Sequence, residues 1–249
     1  MFPKPDDIAW RFINLGHRTD RLAHIHRQLD RVGIEGERFP ALTKEDYQGP
    51  PERVKLMQAT PNTIGNWLSH TSLWKLAAEH GVSVGVLEDD ALLCSDFRER
   101  LEYIHENFHE PWDIMFLGAT YHVNPAVWHK ETLGRDFELT DTKHIHRVYG
   151  AFSNQGYVIN HESAEKVYKM VDEVMPLSRG SDCALIMVAP KLNCFSFTPG
   201  MVFQIDGPSD IGNGWTRFSH FLESLGPHVW CDLLEDFDYD NYDWAEGVI

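Results

Sequence analysis

The sequence predicts an α/β fold, with a mostly parallel central sheet flanked by helices. Two observations lead there. Short runs of branched, aromatic and other apolar residues, IAWRFINL (8–15), VSVGVL (82–87), WDIMFLG (112–118) and LNCFSF (192–197), have the length and make-up of core strands. Between them lie longer segments whose apolar residues recur every three or four positions, and such alternation builds a layered sheet with crossover helices. With 249 residues, 43% hydrophobic and 24% charged, the chain can bury a sizeable core as one large domain.

The first strand run is followed at once by GHRTDRLAHIHRQLDRVG, where Leu22, Ile25, Leu29 and Val32 keep helical spacing behind a Thr19 or Asp20 cap, and Gly33 supplies the stop. A second helix is predicted after Thr60, with Pro61 at its first position, Leu68, Trp74, Ala77 and Ala78 along one side, and Gly81 as its end. HRVYGAFSNQGYVIN (146–160) reads as strand punctuated by Gly150 and Gly156. HESAEKVYKMVDEVM then carries Ala164, Val167, Val171 and Val174 at helical spacing, and SDCALIMV (181–188) reads as a short helix capped by Ser181.

Thirty-eight acids against 22 Lys and Arg give a net charge of −16, about half of it between Phe218 and Ile249, which hold eight acids and no Lys or Arg. This balance argues against a nucleic-acid surface and against docking on anionic lipid. No stretch has the roughly 18 apolar residues of a membrane span, and the start lacks the apolar core of a signal peptide. Four dispersed cysteines (Cys94, Cys183, Cys194, Cys231) without Cys-x-x-Cys spacing read as reduced thiols. The expectation is a cytoplasmic protein, at most peripheral to a membrane. Residues 213–249, where aromatics alternate with acids, read as a C-terminal extension, docked or disordered. The sequence leaves the oligomeric state open.

Three stretches bear chemistry. VGVLEDDALL (84–93) sets Glu88, Asp89 and Asp90 at the carboxyl end of a strand, where open α/β sheets bind ligands. Adjacent carboxylates repel, so they suit either a divalent cation such as Mg²⁺ or Mn²⁺ with a nucleotide diphosphate, or a solvated turn. NLGHRTDR (14–21) opens a helix after the first strand and presents Arg18 and Arg21, either to a nucleotide or to water. It has neither a dinucleotide fingerprint nor a P-loop. Asp182 is either a general base or a first-turn acid stabilised by its helix dipole. Ser69 and His70 lie on the second helix, and PSDIG (208–212) has the composition of a turn. His24 and His26 are two apart on a helix and cannot converge on zinc, and His144 and His146 have no third ligand at zinc spacing.

In succession, INLGHRTDRLAHIHRQL, ERFPAL, IGNWLSHTSLWKLAAEHG, VGVLEDDALL, YGAFSNQGYVINHESAEKVY, SDCAL and PGMVFQIDGPSDIG resemble the blocks of glycosyltransferase family 25 over about residues 8–212. The resemblance implies a GT-A-type nucleotide-diphospho-sugar transferase fold over residues 1–212. It also implies a UDP-sugar donor, a divalent metal, typically Mn²⁺, and inverting transfer to a hydroxyl. By position it implies a donor site of Asn14, Leu15, Arg18, Arg21, Ser69, His70, Glu88, Asp89, Ser209 and Asp210. Asp90 first and Asp89 second would hold the metal, Glu88 would turn toward the donor, Ser209 and Asp210 would close over its phosphates, and Asp182 would be the base. The family commonly has Cys at the place of Asn66 and Gly-Thr at the place of Gly150 and Ala151.

The reading that follows is a metal-dependent hexosyltransferase, galactosyl before glucosyl, acting on a glycan, a lipooligosaccharide or a hydroxylated protein side chain. One alternative is a non-catalytic sugar- or partner-binding module that kept the fold, which has little use for three adjacent carboxylates. The other is a nucleotidyltransferase, which the missing Gly-rich, Lys-containing loop disfavours.

Overall fold

The computed structural model describes residues 1–56, 60–120, 137–149, 152–178, 180–197, 200–205, 207–208, 210 and 215–216. Ser209, Gly150, Ala151, Cys231 and the extension past Thr216 lie outside the described residues.

The first half of the chain runs β1 (Ala9–Asn14), α1 (Thr19–Val32), β2 (Gly36–Pro40), α2 (Pro51–Leu56), α3 (Pro61–His80), β3 (Val84–Glu88), β4 (Ala91–Leu93), α4 (Phe97–Asn107) and β5 (Ile114–Thr120). The second half runs β6 (Phe137–Leu139), β7 (Ile145–Val148), β8 (Phe152–Ile159), α5 (His161–Val174), α6 (Ser181–Val188), β9 (Cys194–Phe197), β10 (Val202–Gln204), β11 (Gly207–Pro208) and β12 (Trp215–Thr216). Among the described residues, eight strands form one sheet in the order β2-β1-β3-β8-β5-β9-β7-β6. All run one way except β8, antiparallel to both β3 and β5, and β7, antiparallel to β9 and β6. The sheet is therefore mostly parallel, with two reversed strands.

Helices cover both faces because strand residues alternate between two apolar sides. Val84, Val86, Ile114, Phe116, Tyr157 and Ile159 pack with Trp74 and Leu73 of α3, Val167 and Val171 of α5, and Leu185 of α6. Their neighbours Leu87, Met115, Leu117 and Val158 pack on the opposite side with Ile25 and Leu29 of α1 and Phe97 and Leu101 of α4. Each such fully buried side chain contributes about 1.5–3 kcal/mol relative to leaving it in water.

Thr60 caps α3 by accepting from Thr63 N, and Gly33 and Gly81 end α1 and α3 in the left-handed region at φ 64°. Two predicted caps are corrected. Arg18, not Thr19 or Asp20, precedes α1, because Asn14 Nδ2 already holds Arg18 O, and the Asp20 carboxylate turns to the Arg18 guanidinium. Gly180, not Ser181, precedes α6, since the Ser181 hydroxyl is directed to α3.

β10 crosses over the sheet outside the main ladder. A Cβ on Gly118 would lie 1.8 Å from Val202 O, and one on Gly156 2.7 Å from a Val202 methyl, so glycine at both positions is what lets β10 approach. Met201 N donates to Leu117 O at 2.6 Å, and β10 pairs antiparallel with β4. This brings Gln204 to the carboxyl end of β3.

Candidate active site

The site lies where β1 and β3 end side by side, with Ile13 paired to Glu88. α1, which follows β1, packs on one face of the sheet and α3, which leads into β3, on the other, which opens a crevice at the strand ends. A cavity of about 510 Å³ fills that crevice, within the usual size of a small-molecule site. Leu15, Arg21, Ser69, Glu88, Asp89, Asp90 and Asp210 all line it.

The acidic triplet is tied to the start of α1 and to β10. Asn14, 1% exposed, donates through Nδ2 to Asp89 Oδ2 at 2.8 Å and accepts from Arg38 Nε at 2.9 Å. Arg21 Nη1 lies 3.1 Å from Asp89 Oδ1 and 2.9 Å from Asp90 Oδ2, with Asp210 Oδ2 at 3.7 Å. Arg18 bonds both Asp20 and Asp210, and Asn62 Nδ2 donates to Asp210 O. Gln204 Nε2 donates to Asp90 Oδ2 at 3.0 Å, and Ile205 N to Asp90 O at 2.9 Å.

Both oxygens of Asp89 are thus engaged, whereas Asp90 Oδ1 is buried with no hydrogen-bond partner among the described residues. Burial, and then the neighbouring Glu88 charge, push the Asp90 carboxyl up to about 7 against the pull of Arg21. Burial also raises Asp89, against its bonds to Asn14 and Arg21. A carboxylate oxygen without a partner, on a residue that lines the cavity, is the candidate ligand for a cation. No cluster of three or more His, Cys, Asp or Glu able to hold a metal occurs among the described residues. Asp90 thus offers one ligand, and a cation would draw the rest from water and substrate, as Mg²⁺ commonly does.

The remaining predicted residues fall in two groups. Glu88 Oε1 accepts from Asn66 Nδ2 at 3.2 Å and lies 3.5 Å from His70 Nε2. His70 is fully buried, outside the cavity lining and next to Glu88. The Ser69 hydroxyl donates to Gly65 O and accepts from Leu42 N, which fastens α3 to the loop before α2. Asp182 lies in the first turn of α6 and accepts from Cys183 N at 2.7 Å through Oδ1. It does not line the cavity, but its neighbour Ser181 bonds Asn66, which does.

Sequence reasoning missed Asn66, Gln204, Tyr157 and Arg38. Asn66 and His70 are one helical turn apart on α3, and a polar pair at that spacing in an apolar helix was the available signal. Gln204 lies inside the PGMVFQIDGPSDIG block, but nothing in that run singles it out, because the close packing at Gly118 and Gly156 is what carries it there.

Residues 11–183 match the family model described as Glycosyltransferase family 25 (LPS biosynthesis protein). The chain belongs to glycosyltransferase family 25. A relative from Drosophila melanogaster, "Glycosyltransferase 25 family member", is 26% identical over 227 residues, covering 78% of this chain and 35% of the fly protein. "Procollagen galactosyltransferase 1-A" from Xenopus laevis is 23% identical over 95% of this chain and 41% of its own length. The family 25 chain therefore spans a little over a third to two fifths of these curated relatives. Among solved structures, "the glycosyltransferase GlyE in Streptococcus pneumoniae TIGR4" aligns at 9% identity and a TM-score of 0.44 over 92% of this chain and 63% of that one. No helix among the described residues of the family 25 chain is long and apolar enough to cross a membrane.

Proposed function

We propose that this family 25 chain is a GT-A-type hexosyltransferase. It moves galactose, with glucose as the next donor sugar, from UDP to a hydroxyl of a glycan, a lipooligosaccharide or a hydroxylated side chain, with inversion. The observation that carries the reading is the acidic triplet Glu88, Asp89 and Asp90 lining a nucleotide-sized cavity at the strand ends, with Asp90 Oδ1 buried and unpartnered among the described residues. Family membership supports a sugar nucleotide as the molecule that enters.

Asp90 would hold Mn²⁺ or Mg²⁺ through Oδ1, with Asp89 beside it. When bound, the metal supplies positive charge against the departing diphosphate. Arg21 fixes the two aspartates from the α1 side, and Asn14 fixes Asp89 and the Arg18 carbonyl. Leu15 gives the nucleoside an apolar wall, and Asp210, held by Arg18, stands at the phosphate end, a role the proposal extends to Ser209, its neighbour in sequence. Glu88 faces the sugar. Asp182, outside the cavity lining but next to Ser181, which bonds the lining residue Asn66, would take the proton of the acceptor hydroxyl through Oδ2, since Oδ1 is committed to Cys183 N. Residues 1–212 form the transferase unit, working on the cytoplasmic side and at most peripheral to a membrane.

The test is a panel of UDP-sugars with Mn²⁺ and with chelator, read by release of UDP and by thermal stabilisation. UDP-galactose is expected to give the largest response, abolished by chelation. No release and no stabilisation with any donor overturns the reading.

A further inference from the structure

Glu88 is gripped on one oxygen only. Oε1 faces Asn66 Nδ2 at 3.2 Å and His70 Nε2 at 3.5 Å, while Oε2 has no hydrogen bond among the described residues, and the side chain lines the cavity. Two buried chains of hydrogen bonds stand behind that grip.

The first runs through the core. Trp74 Nε1 donates to the Tyr157 hydroxyl at 2.7 Å, and that hydroxyl lies 2.9 Å from His70 Nδ1. An indole N–H only donates, so the Tyr157 oxygen accepts there, and its own buried proton has His70 Nδ1 as its acceptor among the described residues. His70 Nδ1 is then an acceptor, the ring is neutral, and its proton sits on Nε2, the nitrogen next to Glu88. The other end of the chain agrees, because Nε2 is buried and stands 3.5 Å from Glu88 Oε1, an oxygen that can accept. Tyr157, fully buried, holds its hydroxyl proton strongly, as burial pushes its pKa well above the usual range. The ring of His70 is stacked on that of Tyr157, with centroids 5.8 Å apart, which fixes its plane.

The second chain crosses between helices. Asn66 presents Nδ2 to Glu88, so its Oδ1 needs a donor, and Ser181 Oγ supplies one at 2.5 Å. Ser181 Oγ in turn accepts from Asn154 Nδ2 at 3.1 Å. Both chains thus run donor to acceptor toward the same oxygen: the Asn66 chain reaches it with a hydrogen bond, and the His70 chain stops 3.5 Å short, with Nε2 buried and making no hydrogen bond among the described residues.

We infer that His70, Tyr157, Trp74 and Asn66 are positioning residues that hold Glu88 Oε1, so that Oε2 accepts a hydrogen bond from a hydroxyl of the transferred hexose. This deepens the proposed function and rests on it for the identity of the sugar. The 3.5 Å from His70 shortens when the hexose is bound, as catalytic hydrogen bonds do on going from the free to the loaded enzyme. Glu88 is then a specificity determinant, since a site built to pair a sugar hydroxyl discriminates against the sugar that lacks it.

The experiment has two arms. In the first, NMR of the full chain with ¹⁵N-labelled histidine reads the His70 tautomer at neutral pH. Protonated Nε2 and unprotonated Nδ1 are expected, and the opposite tautomer or an imidazolium overturns the inference whatever the donor proves to be. In the second, Tyr157→Phe is made in the wild type and in Glu88→Ala. The expected result is a loss of about tenfold or more in kcat for UDP-galactose with UDP affinity unchanged within about twofold, and no further loss in the Glu88→Ala background. Equal losses in both backgrounds overturn the inference. His70→Gln, which keeps an N–H near the place of Nε2, is expected to retain more kcat than His70→Leu at equal Tm, and serves if Tyr157→Phe does not fold. If the wild type turns over no UDP-sugar, the proposed function fails while the tautomer still decides the buried chain.

Discussion

Arg21 Nη1 stands 2.9 Å from Asp90 Oδ2 and 3.1 Å from Asp89 Oδ1, so one buried guanidinium nitrogen serves two carboxylates. Arg21→Gln leaves both acids in a dry wall without that cation. Loss of about 3 kcal/mol of stability is expected in chelator, from the cost of unpairing a buried charge, with part of it recovered on adding Mn²⁺. Denaturant melts with and without the metal measure both.

Asp90 also makes stability depend on pH. Its carboxyl titrates near 7 in the fold, against an ordinary 3.8, so its contribution is fully present below about pH 4 and is lost as the pH rises toward and through 7. Asp90→Asn has no such proton to lose. In chelator the variant is expected to gain about 1–4 kcal/mol relative to the wild type between pH 4 and 8, while its transfer activity falls at least about a hundredfold. Urea melts across that range check the first, and a flat difference would refute it.

Asp182→Asn separates base from helix acid. The Asn oxygen can still accept from Cys183 N, so folding and UDP affinity are expected to hold while kcat falls by about 10²–10⁴. Lost folding with no effect on residual turnover would assign Asp182 to the helix instead.

Gly118→Ala tests whether β10 must lie so close. The new methyl would meet Val202 O at 1.8 Å, a contact neither backbone can relieve without moving. Destabilisation of about 3 kcal/mol or more is expected, together with weaker donor binding, because Gln204 leaves Asp90 when β10 shifts. Circular dichroism melts and UDP titration read the two effects.

The inner strands were legible: β3, β5 and β9 write themselves as nearly continuous apolar runs, and β1 as one interrupted by the half-buried Arg11. β2 was not, since GERFP lies at the sheet edge with most of its side chains in partial or full contact with water. The reversal of β8 was hidden too, because residue composition does not encode strand direction. At the site, Glu88, Asp89 and Asp90 were readable as acids ending a strand. Which oxygen stays open was not, as that depends on Asn14, Arg21, Asn66 and Gln204 arriving from elements up to 114 residues away.

The crossing of β10 also sets how small a working piece of this chain can be. The segment matching the family model ends at residue 183, yet Asp90 receives its neutral donor from Gln204, and β9 sits between β5 and β7 in the sheet. A truncation at that boundary would open the sheet from within and strip the buried Asp90 of a partner. The minimal autonomous unit must therefore extend at least through Ile205, whose amide closes on the Asp90 carbonyl.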